Sequence, residues 1–266
     1  MFPRLLPIFA IVAIGVPANA QALTGKAQTE LLSNARAQYY NLSFLGLKSF
    51  SCSVDDIDWN SIIMQTAGST IPADNPVMVY LTKSRLLVKE TVASGAEITW
   101  ANTGTPPAAA VDSTSQMREL IKQLLDGFFH LWMPNITGEL FPGEVTGVRA
   151  TDKGYLVTEN NPKDKSSDTM TFDKAMLLSH ISSISADGSS ESDMKYAKTP
   201  QGWLLSAIEE VDTEKSPSVP LNYITMQADY QQVDGFQLPG ALALTIKGLV
   251  TVKLKLSGCV VEKQPK

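Results

Sequence analysis

Two histidines and two cysteines are all the imidazole and thiol that the 266 residues offer. His130 sits between Phe129 and Leu131 in a helical run, and His180 follows Ser179 in a strand-like one. A Ser–His nucleophile needs a base and an orienting acid within hydrogen-bond reach. No G-x-S-x-G turn is present to expose a serine, and the simpler reading leaves one histidine on a helix surface and the other on a strand face. Asp55, Asp56 and Asp58 could give oxygen ligands to Ca²⁺ or simply form a turn. Glu209, Glu210 and Asp212 close a strand, either as solvated acids or as a carboxylate pair for glycoside hydrolysis. H-E-x-x-H, C-x-x-C, EF-hand and Gly-rich phosphate motifs do not occur. The sequence therefore assigns no catalytic residue, no metal ligand and no cofactor, and reads as a non-enzyme. Asn41-Leu42-Ser43 and Asn135-Ile136-Thr137 match the N-glycosylation pattern, which has meaning only in a eukaryotic secretory pathway.

What remains is apolar surface. Met117, Leu120, Ile121, Leu124, Leu125, Phe128 and Trp132 recur at helical spacing, after Ser113 and Gln116 that fit a capping box and before Pro134 that should end the helix. Leu124, Leu125, Phe128, Phe129, Leu131, Trp132 and Met133 give this helix more apolar surface than one narrow stripe needs. Either the helix packs into a sheet, or part of this surface (Leu124, Leu125, Phe128, Phe129, Trp132 and Met133) lines a cavity for a greasy ligand. Met117 and Met133 suit an adaptable lining, since methionine repacks easily.

The elements around that helix follow from periodicity. Ala27, Leu31, Leu32, Ala35, Tyr39, Leu42 and Leu45 predict an opening helix that stops at Gly46. Phe50, Cys52 and Val54 alternate in a strand, and strands are predicted over Pro76–Leu81, Arg85–Val92 and Ile98–Trp100. An irregular linker, 102–111, precedes the second helix. Beyond it the chain reads as strands and tight turns, ending in Val250, Val252, Leu254 and Leu256 alternating with Thr251, Lys253, Lys255 and Ser257. The segments 160–168 and 214–220 read as exposed loops. The fold class is α+β: one large antiparallel sheet with two main helices against one face.

Residues 1–20 read as a signal peptide, with Arg4 before the apolar stretch Leu5–Val16, Pro17 as a break and Ala18-Asn19-Ala20 as a cleavage pattern. Residues 21–266 then form a single domain. The apolar stretch is too short to span about 30 Å of hydrocarbon, and no later segment is long enough, so the mature chain should not span a membrane. Export places Cys52 and Cys259 in an oxidising compartment. Cys259 shares the parity of Lys253 and Lys255, so only a bulge at Gly258 would turn it inward. A Cys52–Cys259 bridge and two separate buried thiols both remain open. With 22 Lys+Arg against 27 Asp+Glu the net charge is −5, which does not point to nucleic acid.

Several segments together resemble the LolA-like family, the periplasmic carriers of outer-membrane lipoproteins, with their LolB and RseB relatives. They are the leader, the amphipathic helix running into LKSFSCSV (47–54), VMVYLTKSRLLVKE (77–90), MTFDKAMLLSHISSIS (170–185), TPQGWLLSAIEE (199–210) and DYQQVDGFQLPGALAL (229–244). The resemblance implies an incomplete antiparallel barrel whose concave face is covered by helices and which holds acyl chains. It implies a periplasmic carrier whose partners are a lipid or acylated protein and other envelope proteins. The family's lid-holding arginine cannot be placed on Arg36, Arg85, Arg118 or Arg149, and the 102–111 insert has no counterpart. Without a lipidation cysteine the chain is not of the membrane-anchored acceptor type. The sequence thus predicts an exported, non-enzymatic protein sequestering a lipid or acyl chain, such as that of a lipoprotein, with an envelope protein-binding or sensor module as the alternative.

Overall fold

A computed structural model of the chain describes residues 21–265 apart from 56, 102–103, 163–164, 187 and 215–222. The leader read over 1–20 lies outside the described residues, as do Asp56 of the acid cluster and nearly all of the 214–220 loop. The chain is 50% strand and 25% helix. Its first half runs β1 (Gln21–Leu23), α1 (Gly25–Arg36), β2 (Leu47–Asp55), α2 (Trp59–Ala67), α3 (Pro76–Lys83), β3 (Arg85–Thr91), β4 (Gly95–Ala101) and α4 (Val111–Thr137). Among the described residues the second half has strands and no helix: β5 (Glu144–Ala150), β6 (Gly154–Asn161), β7 (Ser166–Asp173), β8 (Leu178–Ile184) and β9 (Gly188–Thr199). It continues with β10 (Gly202–Glu214), β11 (Ile224–Val233), β12 (Phe236–Ile246) and β13 (Val250–Lys263).

All 13 strands join one open antiparallel sheet in the order β1-β5-β6-β7-β8-β9-β10-β11-β12-β13-β2-β3-β4. From β5 to β13 each strand pairs with its neighbour in sequence, which short turns such as Asp234-Gly235 allow. The early hairpin β2–β3–β4 is added to the free edge of β13. This seam carries the two cysteines. The β13–β2 register slips between Ser257 and Val260, and Gly258 within it has φ +56. The bulge reverses the parity of β13, so Cys259 leaves the Lys253–Lys255 face and turns inward. Its sulfur lies 2.09 Å from that of Cys52, at disulfide distance.

The described residues form four α-helices where two were read. The segment Pro76–Leu81, expected as a strand, is helix α3: the Asn75 side chain accepts the Val77 amide (2.9 Å) and Pro76 occupies the first turn. Capping chemistry outweighs β-propensity in so short an apolar run. Helix α2 was not anticipated at all, because its N-cap is Asp58, one of the acids read as a turn or Ca²⁺ cluster; its carboxylate accepts the Ser61 amide (3.0 Å).

Helix α1 ends at Arg36 rather than Gly46. The chain leaves the helix to meet other backbone: the Tyr40 amide donates to the Trp203 carbonyl (3.0 Å) and the Leu42 amide to that of Asn135 (2.9 Å). The Tyr39–Tyr40 backbone lies so close that a Cβ at Gly202 would fall 2.5 Å from the Tyr40 nitrogen.

Helix α4 lacks the expected capping box, since the Ser113 and Thr114 hydroxyls both donate back to the Ala110 carbonyl. Nor does Pro134 end it. The helix continues to Thr137 and closes on Gly138, whose amide donates to the Pro134 carbonyl (3.1 Å). The carbonyl that Pro134 leaves unbonded is that of His130, an exposed residue.

Two apolar clusters fill the inside of the sheet. The larger gathers β2–β4, α2, α3, α4 and β10–β13. The smaller gathers Leu31, Ala35, Tyr39, Leu140, Phe141 and residues of β5–β8.

Candidate functional site

Helix α4 is apolar on two sides, and the two sides have different fates. One side buries Ile121, Leu124, Leu125, Phe128, Phe129, Trp132 and Ile136, each no more than 4% exposed. The Trp132 ring lies 6.3 Å from Phe128 and 6.2 Å from Phe50, and its indole N–H donates to the Tyr230 hydroxyl (3.0 Å). The other side carries His130, Leu131, Met133 and Pro134, which line a cavity of 610 Å³ between α4 and strands β6–β10. Of the six residues proposed from sequence as cavity lining, Met133 is on this wall. Leu124, Leu125, Phe128, Phe129 and Trp132 lie in the larger apolar cluster on the opposite side of the helix.

The cavity opens where the two clusters fail to merge; Met194 and Tyr196 pack against both. Its sheet wall is built by period-two alternation across paired strands. One inward row runs Val157, Met170, Ile181, Ser192, Glu210, each directly opposite the next. The adjacent row runs Glu159, Asp168, Ser183, Ser190. Tyr39, Leu140, Leu178, Met194, Tyr196 and Leu205 complete the apolar part. The wall is therefore graded, apolar towards Leu178 and Tyr196 and polar towards the Glu159 row.

The polar end is acidic. Glu159 has no exposed surface, and neither of its carboxylate oxygens has a hydrogen-bond partner at full geometry. Burial pushes its pKa up to about 7, with Asp168 and Glu139 adding to the rise and the Gly143 amide opposing it. Glu210 is likewise raised, by burial first and by Asp212 second. Asp168 accepts the Ser183 hydroxyl at 2.5 Å. Among the described residues lining the cavity there is no Lys or Arg, and His130 is the one imidazole. At the apolar end burial pushes the Tyr39 phenol up to about 12, and its oxygen accepts the Leu178 amide (2.8 Å).

The other sequence candidates are placed apart. His180 faces outward on β8, its ring nitrogens 2.8 Å from Asp193 and 2.8 Å from Glu191. Glu209, also outward, pairs with Lys195 (2.8 Å), so it and Glu210 stand on opposite faces of β10. Glu210, read as a solvated acid, is half-buried instead. Among the described residues no group of three or more His, Cys, Asp or Glu is arranged to hold a metal ion.

Both glycosylation-pattern asparagines are buried. The Asn135 amide donates to the carbonyls of Tyr40 (3.0 Å) and Trp203 (3.0 Å), while its oxygen accepts the Leu205 amide.

The residues missed by the sequence reading are Glu159, Asp168, Ser190 and Ser192. Their signal was present as parity: Glu159 shares a face with Val157, Asp168 with Met170 and Phe172, and Ser190 and Ser192 with Met194 and Tyr196. No family model, curated protein or solved structure matches the chain at a significant level. No described helix is long and apolar enough to cross a membrane.

Proposed function

We propose that this is an exported, non-enzymatic carrier or binding protein that takes the apolar part of a lipid or acylated protein out of water, in the manner of the LolA-like proteins it resembles. In this reading the open sheet is an incomplete barrel with helices over its concave face, and 610 Å³ lies within the roughly 300–1,000 Å³ of small-molecule sites. The observation that carries the proposal is the second apolar side of α4. Leu131, Met133 and Pro134 line a space that the sheet leaves unfilled, although Leu131 and Met133 also border the larger cluster and His130, Asn135 and Thr137 share the wall. Burying apolar ligand surface there contributes roughly 25 cal/mol per Å².

The test is binding of the uncharged apolar fluorophore N-phenyl-1-naphthylamine by the chain from residue 21, with Ile181→Trp as the obstructed variant. The wild-type chain should enhance and blue-shift the emission and the variant should lose at least about tenfold in affinity, with thermal midpoints within a few degrees of each other. Absence of binding, or binding indifferent to Ile181→Trp, would contradict the cavity reading.

That result would favour the second reading, an envelope protein-binding or sensor module. Its own observation is Phe44, 85% exposed on the loop before β2, beside Leu45 at 42%.

A further inference from the structure

The cavity's two ends differ in what they would accept. The α4 side and the Leu178–Tyr196 floor offer carbon to an apolar chain, while the opposite end offers carboxylates. Glu159 is the decisive group. Its carboxyl is wholly buried and neither oxygen has a hydrogen bond at full geometry, so the nearby Gly143 amide compensates the burial only in part. Glu159 sits directly across from Asp168 on β7, and Glu210 lies further along the neighbouring inward row. Ser183 satisfies only one Asp168 oxygen, Oδ1. Lys165, in the turn before β7, is exposed and does not line the cavity. Among the described lining residues no Lys or Arg faces these carboxylates, so the partner they call for is a donor carrying positive charge that arrives with the ligand.

Resting on the carrier reading above, we infer that the cavity takes an amphiphile whose polar end is an amine, with its ammonium between Glu159 and Asp168 and its chain along Leu131 and Met133. An ammonium offers three donors and no acceptor, which is the complement of the facing Glu159 and Asp168 carboxylates with the Ser183 hydroxyl next in the row. A carboxylate or phosphate head would meet like charge there in a partly desolvated site, where it is screened little. A hydroxyl head would satisfy one oxygen and leave the charge. The burial of Glu159 and its acidic neighbours hold its carboxyl near neutral pH in the free protein, so an arriving ammonium should draw the proton off and be bound by the resulting charge.

The experiment compares dodecylammonium, 1-dodecanol and dodecanoate by isothermal titration calorimetry at pH 7.5, below their aggregation concentrations, on the chain from residue 21. Dodecylammonium should bind at least about tenfold more tightly than dodecanol, with dodecanoate weakest. Glu159→Gln should remove that preference and leave dodecanol affinity within about twofold. Asp168→Asn should reduce it in the same direction, and serves where Glu159→Gln fails to fold. Equal affinity for the three heads, or a preference retained in both variants, would overturn the amine assignment while leaving an acyl-chain site. Binding of none of them would contradict the carrier reading itself.

Discussion

Glu90 shows how far a single residue can set the pH behaviour of this molecule. It faces inward on β3 opposite Phe50 and Ala96, with no exposed surface and no partner for either oxygen. Burial pushes its pKa up to about 8 from an ordinary 4.5. Between those values the folded chain holds a proton that the unfolded chain has lost, so its stabilising contribution is full below about pH 4.5 and lost as pH rises to about 8. Glu159 acts with the same sign up to about pH 7. Urea midpoints of the wild type should therefore fall from pH 5 to pH 8, and Glu90→Leu should flatten the slope and gain about 1–3 kcal/mol at pH 8. A pH-independent gain would show that burial of Glu90 is not the cause.

Asn135 is the opposite case, a buried polar group with its bonds made. Asn135→Ala should cost about 1–3 kcal/mol by stranding the Tyr40 carbonyl and the Leu205 amide, while the Trp203 carbonyl keeps the Tyr40 amide, read from the same urea curves. In the sequence Asn135 shows only a glycosylation pattern, because its partners lie far along the chain. The acids at the cavity were legible as parity on their own strands; which of them meet depends on cross-strand register, which no single strand encodes.

At the scale of elements the long, strongly patterned segments were legible and the short ones were not. Helix α4, β2, β3 and the strands from β5 onward follow their periodicity, because each buries one face along its whole length. Helices α2 and α3 are short, and in both the local cap at Asp58 or Asn75 decides the conformation. Helix α4 also separates packing from function by face. Trp132→Ala should destabilise by about 3–5 kcal/mol, since it opens a void beside Phe50, Phe128 and Tyr230. Leu131→Ala, one residue earlier, at the border of the larger cluster and on the cavity wall, should cost clearly less stability than Trp132→Ala and weaken ligand binding as well. Equal losses of stability in the two variants would mean that the cavity side is ordinary core.

Across the whole molecule, the sheet is a meander closed late by an early hairpin, and the Cys52–Cys259 pair fastens that joint. The cysteines are 207 positions apart in sequence, so tying them removes a large loop entropy from the unfolded chain. Cys52→Ser with Cys259→Ser should cost about 2–5 kcal/mol, and reducing agent should lower the wild-type midpoint but not that of the double variant. Sequence parity alone left the pairing open, because the bulge at Gly258 that turns Cys259 inward is a property of the β13–β2 register.

The pairings from β6 to β10 likewise align the inward rows that border the space beside α4, and whether that space holds an amphiphile is measured most directly by native mass spectrometry. The chain would be purified from an export compartment, its intact mass recorded, and any released ligand identified after denaturation. One molecule of an amine-headed lipid or acylated peptide per chain is the expected result. A clean ligand-free mass, under conditions that keep lipid on a control carrier, would contradict the account.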